Sequence, residues 1–184
     1  IPAEIQGPTN LTLTTLVTDD GSPVLGAVNT FTIVVREINT APVLPPQADR
    51  VLIAIEPLAV TNTASDLDIP VNPLSYVLVQ APDGAMIDAQ GVITWTPATW
   101  QVPSTNLFVT IVTDTNATAN NANSLSATNA FTVFVNATHS GPSLQPQEDV
   151  SVPELSTLVI TNTASSTDLP ALAFSYQLMD PPAG

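Results

Sequence analysis

Cysteine and lysine are absent from this chain of 184 residues, and histidine occurs once. Without cysteine the chain can form no disulfide and perform no thiol chemistry. Without lysine it cannot form the lysine-based isopeptide cross-links that some surface β-modules use. Arg36 and Arg50 stand against 16 acidic residues, which gives a net charge of −14. This charge argues against nucleic acid and anionic membrane surfaces as partners.

Long apolar runs and catalytic motifs are lacking as well. No apolar run approaches the roughly 18 residues that a membrane-spanning helix needs, so we expect no membrane insertion. The sequence contains no Gly-rich phosphate loop and no Cys/His metal spacing. His139 lies beside Ser140 in a linker, where adjacent side chains are expected to diverge. We therefore predict that the chain is not an enzyme and has no catalytic residues.

A repeat with a period of 100 residues is the most informative feature that is present. Residues 42–84 and 142–184 align without a gap and share 18 of 43 residues. The front of the chain follows the same scheme, because residues 1–8 align with 96–103 at an offset of 95. A domain-sized period indicates an array of like modules rather than one globular unit.

The phase of the repeat predicts one whole module flanked by two halves. The predicted units are 1–40, the C-terminal half of a module; 41–140, a complete module; and 141–184, the N-terminal half of another. Two explanations fit the halves. The chain is a window of a longer array, or subunits stack head to tail so that the front half of one meets the back half of the next.

Apolar residues alternate with polar ones, which predicts strands. The alternating sets are Phe31/Ile33/Val35, Phe131/Val133/Val135, Leu74/Tyr76/Leu78, Phe174/Tyr176/Leu178, Leu107/Val109/Ile111, Leu58/Val60 and Leu158/Ile160. Eighteen prolines argue against helices, since each removes a backbone donor. About seven short strands in a module of this size is typical of an all-β sandwich. We expect Tyr76, Trp95 and Phe131 to pack between its sheets.

Three segments carry a resemblance to known repeats. Residues 64–76 (ASDLDIPVNPLSY) are similar to the cadherin pattern A-x-D-x-D-x-G-x-N, and residues 17–25 (VTDDGSPVL) resemble the cadherin segment A-x-D-x-G-x-P-x-L. Residues 88–97 (DAQGVITWTP) look like the putative Ig and dystroglycan-type cadherin-like repeats of prokaryotic surface proteins. The resemblance implies tandem Ig-like or cadherin-like β-sandwich modules of about 100 residues, outside the cell or on its surface.

The resemblance also implies a cofactor, because calcium lies between consecutive cadherin modules. The implied ligands at the first junction are Glu37, Asn39, Asp66, Asp68 and Asp114. Such oxygen-bearing side chains suit calcium. The second junction departs from the pattern, since residues 136–142 contain no acid and Ser166 replaces the first aspartate. The alternative is that Asp66 and Asp68 are exposed turn residues that hydrogen-bond to local backbone.

Three N-glycosylation sequons begin at Asn10, Asn116 and Asn136. They fit an extracellular glycoprotein, although a chain rich in Asn and Thr produces sequons by chance. We interpret the loop 114–128 as a flexible or sugar-bearing tip, in which Asn116 has the most accessible setting.

The sequence therefore predicts a non-enzymatic structural module of an extracellular or cell-surface repeat protein, serving as a stalk or filament. Its partners would be neighbouring copies of the same repeat, in a homopolymer or a longer array. One alternative is an adhesin or carbohydrate-binding module, for which Trp100 is the best exposed aromatic platform. Another is a spacer within a larger secreted enzyme.

Overall fold

Strands carry almost all the regular structure of the chain, which a computed structural model describes over residues 3–179. The strands are β1 (Thr9–Thr18), β2 (Gly26–Val35), β3 (Arg50–Ile53), β4 (Leu58–Thr61), β5 (Leu74–Gln80), β6 (Met86–Ile87), β7 (Val92–Trp95), β8 (Ser104–Asp114), β9 (Ser126–Asn136), β10 (Ser143–Leu144) and β11 (Ala164–Ser165). Short 3-10 turns occur at Glu4–Gln6 and Thr99–Gln101. Among the described residues, no helix is long and apolar enough to cross a membrane.

Two sheets in the middle of the chain enclose its hydrophobic core. One has the order β3-β9-β8-β5, with β3 parallel to β9 and the other pairs antiparallel; the second has the order β4-β7-β6. The buried core residues are Leu52, Leu58, Val60, Ile93, Trp95, Val102, Phe108, Phe131, Val133 and Val135. This arrangement confirms the predicted all-β sandwich. The predicted module bounds stay a prediction, and residues 1–2 and 180–184 lie outside the described range.

Aromatic rings form the centre of this core. Phe108 lies between Trp95, with ring centroids 5.6 Å apart at 64°, and Phe131, with centroids 5.1 Å apart at 12°. Both Trp95 and Phe131 are buried as predicted, whereas Tyr76 is only half-buried. Its ring covers Gly91, where an added Cβ would lie 2.9 Å from the ring. Gly91 also has a φ of +80°, so glycine serves both the turn and the close approach.

The hairpin β1–β2 repeats the geometry of β8–β9. Leu13 pairs with Phe31 in the first hairpin, as Phe108 pairs with Phe131 in the second. The repeat found in the sequence is therefore also a repeat of strand register. In the hairpin β1–β2, however, nearly every side chain is exposed, unlike those of β8–β9.

Two predicted strands near the end of the chain are not formed. Residues 158–160 and 174–178 have no regular structure, although their counterparts lie in β4 and β5. The counterparts are strands because β7 and β8 satisfy their backbone hydrogen bonds. A strand needs such a partner, and the described residues offer none beside 158–160 or 174–178.

Candidate metal centre at the first linker

The five predicted calcium ligands come from three parts of the fold. Glu37 and Asn39 lie in the linker after β2, Asp66 and Asp68 in the loop between β4 and β5, and Asp114 at the end of β8. All five side chains are buried. Burial of four carboxylates in one region is costly unless each charge is compensated.

Hydrogen bonds hold the linker against the two neighbouring loops. The Thr40 N–H donates to both carboxylate oxygens of Asp68, each at 3.1 Å. Asn39 Nδ2 donates to Asp114 Oδ1 at 2.9 Å. The structure therefore brings Asn39 together with Asp114, and the linker backbone together with Asp68.

The loop that carries Asp66 and Asp68 has the local bonds of a turn but not the exposure. Asp66 Oδ1 accepts the N–H groups of Asp68 at 3.0 Å and of Asn72 at 3.4 Å. Both aspartates are nevertheless buried. The alternative of an exposed turn is thus wrong in its exposure, although the local hydrogen bonds that it predicted are present.

Asn72 is a member of the network that sequence reasoning did not select as a ligand. Its Nδ2 donates to Asp68 Oδ2 at 2.6 Å and to Asn39 Oδ1 at 2.9 Å. The asparagine of the A-x-D-x-D-x-G-x-N pattern was the available indication.

The loop 114–128 binds the linker, so its interpretation as a flexible tip is wrong. Asn121 forms two hydrogen bonds with the backbone of Asn39, accepting its N–H at 2.8 Å and donating to its carbonyl oxygen at 2.9 Å. The Asn120 N–H donates to the Glu37 carbonyl oxygen at 2.8 Å. The extra length of this loop allows it to reach across the junction.

Asn116 is likewise placed differently from expectation. It is only 7% exposed, and its Nδ2, the atom that would carry a glycan, donates to Glu37 Oε1 at 3.3 Å. The expected accessible setting is therefore wrong. This amide connects Glu37 with the loop 114–128. Asn10 and Asn136 are exposed, and glycosylation at these two asparagines stays a prediction.

Two carboxylate oxygens of this region are buried without a partner. These atoms are Asp66 Oδ2 and Asp114 Oδ2. Among the described residues the only ion pair is His139 with Asp168, so no cationic side chain compensates the acids of the first linker. The described residues also contain no cluster of three or more His, Cys, Asp or Glu side chains that could hold a metal. A metal here must therefore use amide and backbone oxygens as well as carboxylates.

Glu4 adds an acid from the other side of the junction. It lies in the 3-10 turn Glu4–Gln6, and its Oε1 accepts the Ile69 N–H at 3.3 Å. Glu4 was not predicted as a site residue, since nothing in the local sequence around it resembles the cadherin patterns.

The second linker is built differently. His139, which occupies the position of Asn39 in the repeat, has its Nδ1 3.3 Å from Asp168 Oδ2. Thr138 and Leu169 exchange two hydrogen bonds of 3.0 Å, and Leu169 packs against the core of the central sandwich. Asp168 is therefore surrounded by His139, by serine groups and by Leu169. At the equivalent place in the first linker, Asp68 has further acids nearby.

A backbone hydrogen bond is the main influence on the pKa of Asp168. The Ser140 N–H donates to Asp168 Oδ1 and is the main reason that the pKa of this carboxyl lies below its ordinary value. Burial opposes this shift, while the hydroxyls of Ser166 and Ser140 and the charge of His139 support it.

Ser140, His139 and Asp168 lie together, contrary to the expectation that the first two side chains diverge. Their order does not match a hydrolytic triad. Asp168 lies between the other two and accepts the Ser140 hydroxyl at 3.1 Å. In a triad, histidine lies between serine and aspartate and takes the proton of the hydroxyl.

Comparison with known proteins bears on the fold. No protein-family model matches the chain, and no curated protein matches it. Solved structures of cadherin domains do. A protocadherin gammaB7 EC3-6 cis-dimer structure has 18% identity and a TM-score of 0.50, covering 80% of this chain and 38% of that one. Mouse cadherin-23 EC22-24 has 18% identity and a TM-score of 0.49, covering 70% and 43%. The protocadherin gammaB4 extracellular domain has 20% identity and a TM-score of 0.48, covering 90% and 30%.

The first of these likenesses shows that the fold is cadherin-like, as the resemblance implied. This chain spans 38% of the length of that structure. The resemblance of residues 88–97 to prokaryotic and dystroglycan-type repeats stays a prediction.

Proposed function

We propose that this chain is a non-enzymatic structural part of an extracellular or cell-surface repeat protein, in which calcium braces the first linker. The observation that carries the proposal is the burial of four carboxylates around that linker, two of them with an oxygen that has no partner. The role is that of a stalk or filament built from like modules.

Charge compensation is the physical argument for the cation. Desolvation of a carboxylate costs several kcal/mol unless an opposite charge or several donors replace water. The nearest arginine in sequence, Arg36, is exposed and forms no ion pair within residues 3–179. Calcium carries two positive charges and accepts six to eight oxygen ligands, including amide and backbone oxygens.

The residues that would hold calcium are those that the linker brings together. Asp66 and Asp114 offer their unpartnered oxygens, Asn39 and Asp68 lie in the same hydrogen-bond network, and Glu37 lies beside it on Asn116. Because no three acids of the described residues form a cluster that could hold a metal, one ion would bind at most two of these carboxylates. Asn72, which donates to Asp68 and Asn39, is a further candidate ligand. Glu4, which accepts the N–H of Ile69 next to Asp68, is another. Calcium would supply charge compensation there and no chemical reactivity.

The mechanical consequence is a stiff junction. Ligands would come from the linker, from the β4–β5 loop and from the end of β8, so bending at the linker would separate oxygens from a shared cation. Without calcium, repulsion between the same carboxylates would favour bending. Stiffness controlled in this way suits a stalk.

Calcium chelation tests the proposal. Calcium at a hundredfold excess over its Kd adds about 2.7 kcal/mol of stability, so a chelator should lower the melting temperature by several degrees. Asp68→Ala should remove this sensitivity, whereas Asp83→Ala, which changes an exposed acid away from the linker, should keep it. A melting curve that excess chelator leaves unchanged would overturn the proposal.

A carbohydrate-binding or adhesive function has one observation in its favour. Trp100 is 71% exposed in the 3-10 turn Thr99–Gln101, where it can offer a ring face to a sugar. Its fluorescence should shift and become protected from quenching when a glycan binds there. Unchanged fluorescence across a panel of glycans would remove this candidate.

A further inference from the structure

The two hairpins of the chain have one register but opposite surroundings. Phe131 is 2% exposed, whereas Phe31, its counterpart in β2, is 45% exposed. In the central sandwich β3 and β5 flank the hairpin β8–β9, and the sheet of β4, β7 and β6 covers its inner face. The inner face of β1–β2, defined here as Leu11, Leu13, Val17, Phe31 and Ile33, is not covered by any segment within residues 3–179.

Residues 142–179 carry counterparts of one part of this cover, namely β3, β4 and β5 but not β6 and β7. They repeat, at an offset of 100, the region that contains β3, β4 and β5. Ile160 is 48% exposed, while its counterpart Val60 is 2% exposed in the core. The described chain therefore has an exposed apolar hairpin face before the central sandwich and, after it, an exposed segment of the kind that covers such a face.

These two surfaces cannot meet within one chain. The first linker contacts Asp114 and the residues just before β9, and the second linker follows the end of β9. β9 is a strand of 11 residues, so the linkers are about 35 Å apart at roughly 3.3 Å per residue. The surfaces consequently lie beyond opposite ends of the central sandwich.

We propose that the inner face of β1–β2 in one copy binds residues 142–179 of a second copy. The proposal rests on the structural role proposed above, whose partner it names, but not on calcium. Residues 142–179 would contribute counterparts of β3, β4 and β5. Residues 174–178 would then gain β1 as the strand partner that β8 gives to β5, and residues 158–160 would cover the inner face of the hairpin.

Charge complementarity supports this occupant. In the central sandwich the Ala54 N–H donates to the Asn136 carbonyl oxygen at 2.8 Å. The counterparts of these residues are Glu154 and Arg36, so docking in the same register places opposite charges side by side. Neither residue forms an ion pair within its own described chain.

The size of the surfaces is also adequate. The hairpin has two strands of ten residues each, and stable interfaces use about 20–30 residues a side. The contact joins two different surfaces, so an assembly of any length still presents one free hairpin at one end and one free segment at the other. A heterologous contact of this kind produces open chains rather than closed dimers.

Sedimentation velocity at increasing concentration, in buffer with calcium, tests this proposal. The native protein should form a ladder of oligomers. Phe31→Asp and Ile160→Asp should each weaken association by at least about 100-fold, because each buries an unpaired charge in the contact. The controls Val28→Asp and Val159→Asp should not, since their counterparts Thr128 and Ala59 remain exposed in the covered module.

A mixture of the two defective variants gives the decisive result. The segment of the Phe31→Asp protein and the hairpin of the Ile160→Asp protein are both intact, so the mixture should form one-to-one dimers and nothing larger. A native protein that stays monomeric, oligomers that survive both substitutions, or a mixture that stays monomeric would overturn the docking. Chelator sensitivity of melting, measured on the same samples, reports separately on the calcium brace.

Discussion

Asp68 accepts the Thr40 N–H through both of its carboxylate oxygens, each at 3.1 Å. Asp168 accepts the Ser140 N–H at the equivalent place in the second linker. The two junctions therefore share one backbone attachment and differ in what surrounds it. Around Asp68 lie further acids and amides, whereas around Asp168 lie a histidine, two hydroxyls and the apolar Leu169. This difference predicts that the first linker depends on a cation and the second does not.

Replacement of Asp114 by asparagine should have opposite effects with and without calcium. Asn keeps the oxygen that accepts the Leu125 N–H and the Asn39 amide but removes a buried charge. Without calcium, Asp114→Asn should raise the free energy of unfolding by about 1 kcal/mol. With calcium, the stabilisation by the ion should shrink. Denaturant titration in both buffers measures this, and an equal loss in the two buffers would contradict the calcium site.

Phe108 and Leu13 occupy equivalent strand positions in different surroundings. Truncation of each side chain to alanine should therefore lower the free energy of unfolding by different amounts. Phe108 is buried between two aromatic rings, so Phe108→Ala should cost about 3–5 kcal/mol. Leu13→Ala should cost less than about 1 kcal/mol in dilute solution, because the hairpin face is uncovered there. Chemical denaturation of both variants checks this. Equal costs would mean that the hairpin is packed as tightly as the central core.

Two glycines with positive φ distinguish backbone strain from steric clash. At Gly84, with a φ of +85°, an added Cβ has open space around it, so Gly84→Ala should cost only the left-handed backbone penalty of about 1–2 kcal/mol. Gly91→Ala should cost clearly more, because its Cβ would lie 2.9 Å from the Tyr76 ring. The double variant with Tyr76→Ala should recover the excess. Absence of that recovery in thermal melts would rule out the clash as its cause.

Acid should loosen the second linker. Because the pKa of Asp168 is lower in the folded chain than its ordinary value of 3.8, its contribution to stability is complete above about pH 5. That contribution disappears as the pH falls through the folded pKa. Asp19, whose pKa is lowered by the Leu25 and Gly21 N–H groups, contributes in the same window.

Melting curves of native protein and Asp168→Asn between neutral and acid pH isolate this contribution. The variant should be less stable than the native protein at neutral pH, and the difference should vanish in acid. Asp19→Asn is the matched control for a carboxylate in a turn outside the linker. Parallel curves for native protein and Asp168→Asn would show that Asp168 does not couple the linker to pH.

Local sequence patterns were sufficient for most of the fold and part of the site. Alternation and the sandwich interpretation placed Phe131 and Trp95 in the core, and the resemblance to the cadherin pattern selected Asp66 and Asp68, two of the acids that the structure buries beside the linker. Such patterns succeed because side-chain direction in a strand and turn chemistry depend on neighbouring residues only. The repeat in the sequence also aligns β2 with β9, and the structure gives these two strands the same register within their hairpins.

Tertiary structure alone decided which polar and apolar groups have partners. Asn116 and Asn121 looked like residues of a free loop, yet they bind the linker across about 80 positions of sequence. Residues 158–160 and 174–178 have good strand patterns but remain irregular, because a strand forms only where another chain segment satisfies its backbone. The sequence by itself determined which residues can be core or ligand. Only the folded chain decided which of them are covered, since burial and hydrogen bonding depend on segments that the local pattern does not contain.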